Sequence, residues 1–116
     1  MTFEAFYASV GGDAQKVLLR LQSEALVRRF LLKYPSDPAY NEFVQAVEQN
    51  DAQAAFRAVH TIKGTAATLG LDLLADAASY LTEKLRGSDV LPDKNECASF
   101  SAVYQATLQA IAALDD

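Results

Sequence analysis

Val59-His60-Thr61-Ile62-Lys63-Gly64-Thr65-Ala66-Ala67-Thr68-Leu69-Gly70 is the run whose reading decides the fold. At 3.6 residues per turn, Ala55, Val59, Ile62, Ala66 and Leu69 fall on one apolar stripe. The run is therefore an amphipathic helix, expected over about 51–69, with one face committed to a core. Gly70 supplies the left-handed position that closes such a helix. His60, the only histidine in the chain, points roughly 145° from the middle of the stripe, taking about 100° per residue, and so faces solvent. Lys63 and Gly64 lie one turn further on the same exposed face. Packing gives no reason for an exposed imidazole beside a cation and a residue without a side chain. Access for a large anionic group does.

Outward from this run, helical spacing accounts for the rest, with no alternating strand pattern and no internal repeat. Asn50-Asp51 pairs a C-cap with an N-cap, and Phe43, Ala46 and Val47 define a short helix over about 38–49. Pro35-Ser36-Asp37-Pro38 ends a longer helix that is capped by Asp13 and runs to about Tyr34. Its expected inward residues are Val17, Leu18, Leu21, Ala25 and Leu32. Gly11-Gly12 separates it from a short amphipathic helix over 2–9 with Phe3, Phe6 and Tyr7 on one side. On the other side of the decisive run, Asp72 is expected to cap a helix with Leu74, Ala77, Ala78, Leu81 and Leu85 inward. Gly87-Ser88 ends it. A last helix starts near Pro92 and carries Cys97, Phe100, Val103 or Tyr104, Leu108, Ile111 and Leu114. Short connections between long helices favour antiparallel neighbours. The expected fold is all-α: an up-down four-helix bundle with additional short helices, as a single domain over residues 1–116.

Composition narrows the function. The chain has 116 residues, 51% of them apolar and 22% charged, enough for one core without disulfides or metal. The single Cys97 excludes an intramolecular disulfide and a cysteine-based zinc cluster, which fits a reducing compartment. No apolar stretch approaches the roughly 20 residues that span a bilayer. Met1-Thr2-Phe3-Glu4 lacks the pattern of a signal peptide. A cytoplasmic location without a membrane partner is expected. The net charge of −5 argues against nucleic acid, which requires a basic face. Lys63, Lys84 and Arg86 are expected to gather near His60. Walker A loops, glycine-rich nucleotide loops and paired carboxylates at metal spacing are all missing, so no ATP chemistry, metal or other cofactor is expected.

The eleven residues from His60 to Gly70 resemble the signature of histidine-containing phosphotransfer (HPt) domains of multistep phosphorelays, His-x-x-Lys-Gly-(Ser/Thr)-Ala-Ala-x-Leu-Gly. Here it reads His60, Lys63, Gly64, Thr65, Ala66, Ala67, Leu69 and Gly70 without a mismatch, and the helical pattern on both sides is similar to the family. The resemblance implies a phosphorelay intermediary of two-component signalling, without ATP-binding or kinase machinery of its own. His60 would be the phosphoacceptor, taking the group from a receiver-domain aspartate and passing it to another receiver. Lys63 would stabilise the phosphoryl oxygens, and Gly64 would leave the approach open. Mg²⁺ and most of the catalytic groups would sit on the receiver. The implied partners are receiver domains of response regulators and a hybrid histidine kinase. The family commonly carries Glu or Gln twenty-two residues after the histidine; this chain has Thr82.

A hairpin folded about Gly70-Leu71 sets His60 opposite Leu81 to Glu83, with Arg86 one turn away. The expected partner surface is therefore built from Phe56, Ala67 and Thr68 on one helix and Thr82 and Arg86 on the next. Arg57 and Thr61 flank it. Thr82 is one candidate to hold the second ring nitrogen and an ordered water is another, while Glu83 points about 100° elsewhere. Thr61 and Thr65 more simply bond their own backbone. The alternative function is a helical-bundle adaptor that binds signalling partners without taking phosphate.

Overall fold

The computed structural model describes residues 1–114. Their regular elements are all helical: α1 (Phe3–Ser9), α2 (Ala14–Leu21), α3 (Glu24–Lys33), a 3₁₀ turn (Tyr34–Ser36), α4 (Ala39–Glu48), α5 (Ala52–Leu69), α6 (Asp72–Leu85) and α7 (Lys94–Ala112). α3, α5, α6 and α7 form a closed ring in which each helix packs on two others. α4 lies along α5, and α1 packs on α2 and α7. The all-α bundle with additional short helices forms as expected.

Three local expectations are corrected. The helix expected over 13–34 is two helices, because Gln22 adopts a left-handed conformation (φ 68°). Ser23 then caps a new helix by accepting from the Leu26 amide at 3.1 Å. The break resets the helical phase. Val27 and Leu31 are buried, whereas Ala25 and Leu32 are exposed, Leu32 by 49%. Asp72 does not cap α6. Leu71 is drawn wholly into the core at the junction, and Asp72 falls in the first turn, where its charge still meets the positive helix end. Pro92 precedes α7 rather than opening it. Asp93 caps that helix in a reciprocal box with Glu96, at 2.8 and 2.9 Å.

The end of α5 shows how the bundle is locked. The Leu71 amide donates to Ala66 O and the Gly70 amide to Ala67 O, which is a Schellman closure around Gly70 (φ 74°). Leu69 O, left over by that closure, accepts from the buried Tyr7 hydroxyl at 2.8 Å. Burial pushes the Tyr7 phenol far above its ordinary range, so it remains a donor at any ordinary pH. Gly12 lies beneath the same turn, where an added Cβ would fall 2.1 Å from Gly70 O. α1 and the turn after it thus hold the α5–α6 junction.

Tyr7→Phe removes one hydroxyl and strands a buried carbonyl. It is expected to cost about 1–3 kcal/mol, read as a lower denaturant midpoint at unchanged slope. An unchanged midpoint would show that Leu69 O finds water instead.

Candidate functional site

α5 carries the site and is held at both ends, by the Asp51 side chain on the Ala54 amide at 3.0 Å and by Gly70. Ala55, Val59, Ile62 and Ala66 are fully or almost fully buried. That stripe fixes the rotation of the helix, and His60 and Gly64 are exposed on the opposite side. A Cβ built on Gly64 would meet nothing within 4 Å. Lys63 is half-buried.

The flank towards α6 is a chain of aromatic and charged groups. The Phe56 ring stands edge-on to the His60 ring, with centroids 5.7 Å apart at 71°. The Arg86 guanidinium lies over the Phe56 ring, 5.3 Å from its centroid. Arg86 also grips Glu83, through Nη2 to Oε1 at 3.2 Å and Nε to Oε2 at 3.3 Å. The Glu83 carboxyl is held below its ordinary range, first by that hydrogen bond and then by the charge of Arg86, with Lys63 and His60 adding to the effect. Glu83 therefore stands within electrostatic reach of His60.

Thr82 does not join the site. It is 0% exposed and its hydroxyl donates to Ala78 O at 2.7 Å, so it offers no surface to a partner and its proton is already committed. The antiparallel pairing turns position 82 into the core and position 83 towards α5. Lys84 is also elsewhere. It pairs with Glu96 of α7, which also accepts from Tyr80 at 2.9 Å, so it clips α6 to α7 instead of enriching the His60 surface.

The other flank opens on a groove of about 800 Å³ between α5 and the α3–3₁₀ segment. His60, Thr61, Gly64 and Thr68 form one wall, and Phe30, Lys33, Tyr34 and Pro38 the other. The hydroxyls of Thr61 and Thr68 donate to Arg57 O and Gly64 O, both at 3.0 Å. Ala67 is exposed on the His60 face, and its carbonyl accepts from Arg20 Nη1 at 3.0 Å. Arg57 is exposed and lines two clefts, one with Glu42, Gln45 and Gln49 of α4 and one with Phe56 and Leu85.

Phe30, Lys33, Arg20 and Glu83 are thus residues of the site that sequence spacing did not single out. Phe30 and Lys33 are three apart on one face of α3, but only the phase set after Gln22 turns that face towards α5. Glu83 lies within the Leu81 to Glu83 level that the hairpin register sets opposite His60, but its helical phase reads as pointing elsewhere and the family spacing falls on Thr82. Among the described residues, no group of three or more His, Cys, Asp and Glu side chains could hold a metal ion. The arrangement offers an exposed imidazole, an ammonium one turn along the helix, a guanidinium over the neighbouring ring, and open space at Gly64.

A family model described as the Hpt domain matches residues 14–115. No curated protein and no solved structure matches the chain.

Gly64 can be tested without any ligand. Its surroundings leave room for a methyl group, so Gly64→Ala is expected to stabilise the fold by about 0.5–1 kcal/mol in denaturant unfolding. Destabilisation would mean that the glycine is required by the fold rather than by access to the site.

Proposed function

The chain belongs to the Hpt domain family, and on that premise we propose that His60 is the residue that accepts and passes on the phosphoryl group. The family's role is phosphotransfer in two-component phosphorelays, as a phosphotransfer module rather than a kinase. The finer reading is a receiver-to-receiver intermediary, working in the cytoplasm with response-regulator receiver domains and a hybrid histidine kinase. The observation that carries it is the exposed His60 beside a mid-helix glycine with open space over it. Gly at such a position costs about 1 kcal/mol relative to Ala, and the fold gains nothing from it.

The chemistry follows from the side chains. A neutral imidazole nitrogen attacks phosphorus with its lone pair, forming an N–P bond as the P–O bond to the receiver aspartate breaks. The aspartate leaves as a carboxylate, and the proton on the second ring nitrogen is released to solvent. Lys63 offsets charge on the phosphoryl oxygens. In-line attack needs the donor to approach along the axis opposite its leaving group, and Gly64 keeps that approach clear. The surface for the receiver runs from Phe56 and Arg86 across His60 into the groove with Phe30 and Lys33. This differs from the expected surface on α5 and α6 alone: the buried Thr82 leaves it and the α3 wall joins it.

The test is incubation with phosphorylated receiver domains. Acid-labile, base-stable label should appear on the wild-type chain and be absent from His60→Gln, whose helical circular dichroism should be unchanged. Gly64→Gln should fold and transfer roughly tenfold more slowly or worse. Label retained on His60→Gln sinks the assignment. A receiver footprint on α7 alone, in chemical-shift mapping, would favour the adaptor function.

A further inference from the structure

We propose that Glu83 is a resident counter-charge of the phosphoryl site, which holds Arg86 while His60 is free and yields it once His60 is phosphorylated. Glu83 then stands as an unpaired anion beside the phosphoryl group and raises the free energy of that state. Glu83 is a positioning residue in this account, acting through Arg86 and through its charge. The inference rests on His60 being the phosphoacceptor.

The resident pair is built to be exchanged. Glu83 lies in the last turn of α6 and Arg86 is the residue that caps its end, three positions on, and their side chains are 60% and 52% exposed. Ion pairs that open to water are weak. A phosphorylated side chain carries roughly −1.5 to −2 charges and three acceptor oxygens, and a guanidinium matches two of them at once. Arg86 already lies over Phe56, whose ring edges His60, so a rotation of its side chain across that ring brings it to the phosphoryl oxygens. Lys63 from α5 is the other cation within reach of Glu83. Lys33 and Asp37 lie across the groove from His60. Once Arg86 has moved, the carboxylate repels the phosphoryl group at short range. That repulsion disfavours retention of the group on the histidine, which suits an intermediate that must give it up.

The test needs no receiver. Phosphoramidate serves as a small-molecule phosphoryl donor, and ³¹P NMR follows the resulting phosphohistidine through a pH titration. Negative charge nearby opposes loss of the last phosphoryl proton, so the wild-type midpoint should lie above that of Glu83→Gln by at least about 0.2 pH units at low salt. Glu83→Asp keeps the charge and should keep most of the wild-type midpoint. At about 1 M salt, where screening acts within about 3 Å, the difference should largely vanish. The Arg86 Nε resonance should move on phosphorylation of the wild type. Equal midpoints at low salt, a difference that survives high salt, or an unmoved Arg86 resonance each overturn the role of Glu83 while leaving His60 phosphorylated. If phosphoramidate labels free imidazole but not the wild-type chain, the proposed acceptor falls and Glu83 with it.

Discussion

The structure depends on one close approach of backbone to backbone. A Cβ at Gly12 would lie 2.1 Å from Gly70 O, and one at Gly70 would lie 2.3 Å from Val17 Cγ2. Only glycine at both positions lets the elbow between α1 and α2 sit under the α5–α6 turn. The contact is secured by the Tyr7 hydroxyl on Leu69 O and by the Leu73 amide on Val10 O at 3.0 Å. These bonds fix where α5 ends along its own axis. The end of α5 in turn sets its register against α6, which brings Phe56 to Arg86 and Lys63 towards Glu83. α1 lies outside the residues matched by the family model, yet it contributes Phe3, Phe6 and Tyr7 to the core.

α5 divides its circumference among three tasks. One stripe is buried and fixes rotation, one flank meets the charged groups of α6, and one opens on the groove with α3. His60 stands on the boundary between the last two. It therefore shares a ring contact with Phe56 on one side and lines a cavity on the other. A single apolar stripe of about five residues is enough to produce this, because burying it determines the direction of every other side chain on the helix.

What could be read from the sequence followed the same physics. Gly70, Asp13, Asp51 and the stripe through Val59 and Ile62 were legible because capping and helical periodicity are local. The exposure of His60 and Gly64 came directly from that stripe. The break at Gln22 was not legible, since a left-handed glutamine carries no glycine-like signal and the apolar spacing on both sides reads through it. Missing it put Ala25 and Leu32 inside and hid the wall formed by Phe30 and Lys33. The exchange of Thr82 for Glu83 has another cause. Counting residues from the turn gives only a level, Leu81 to Glu83, that holds both residues, the family spacing falls on Thr82, and one position on a helix is about 100° of rotation. Only the packed hairpin decides which of the two faces the histidine.

A histidine that must be reached by another protein cannot draw on a dry interior to strengthen its helpers. Charges around it act through water, where each pair is weak and easily exchanged. The Glu83–Arg86 pair has that character, and His60 makes its ring contact with an aromatic side chain, Phe56. What such a site can hold firmly is geometry. The backbone of α5 is fastened at both ends, and its buried face leaves little freedom of rotation. Under the proposed function, positioning comes from the scaffold while electrostatic adjustment comes from exposed side chains that change partners at small cost. That division explains why the strongest constraints in this fold lie at Gly12, Tyr7 and Gly70, about ten residues beyond His60 along α5 and across the elbow that seats its end, rather than around the imidazole itself.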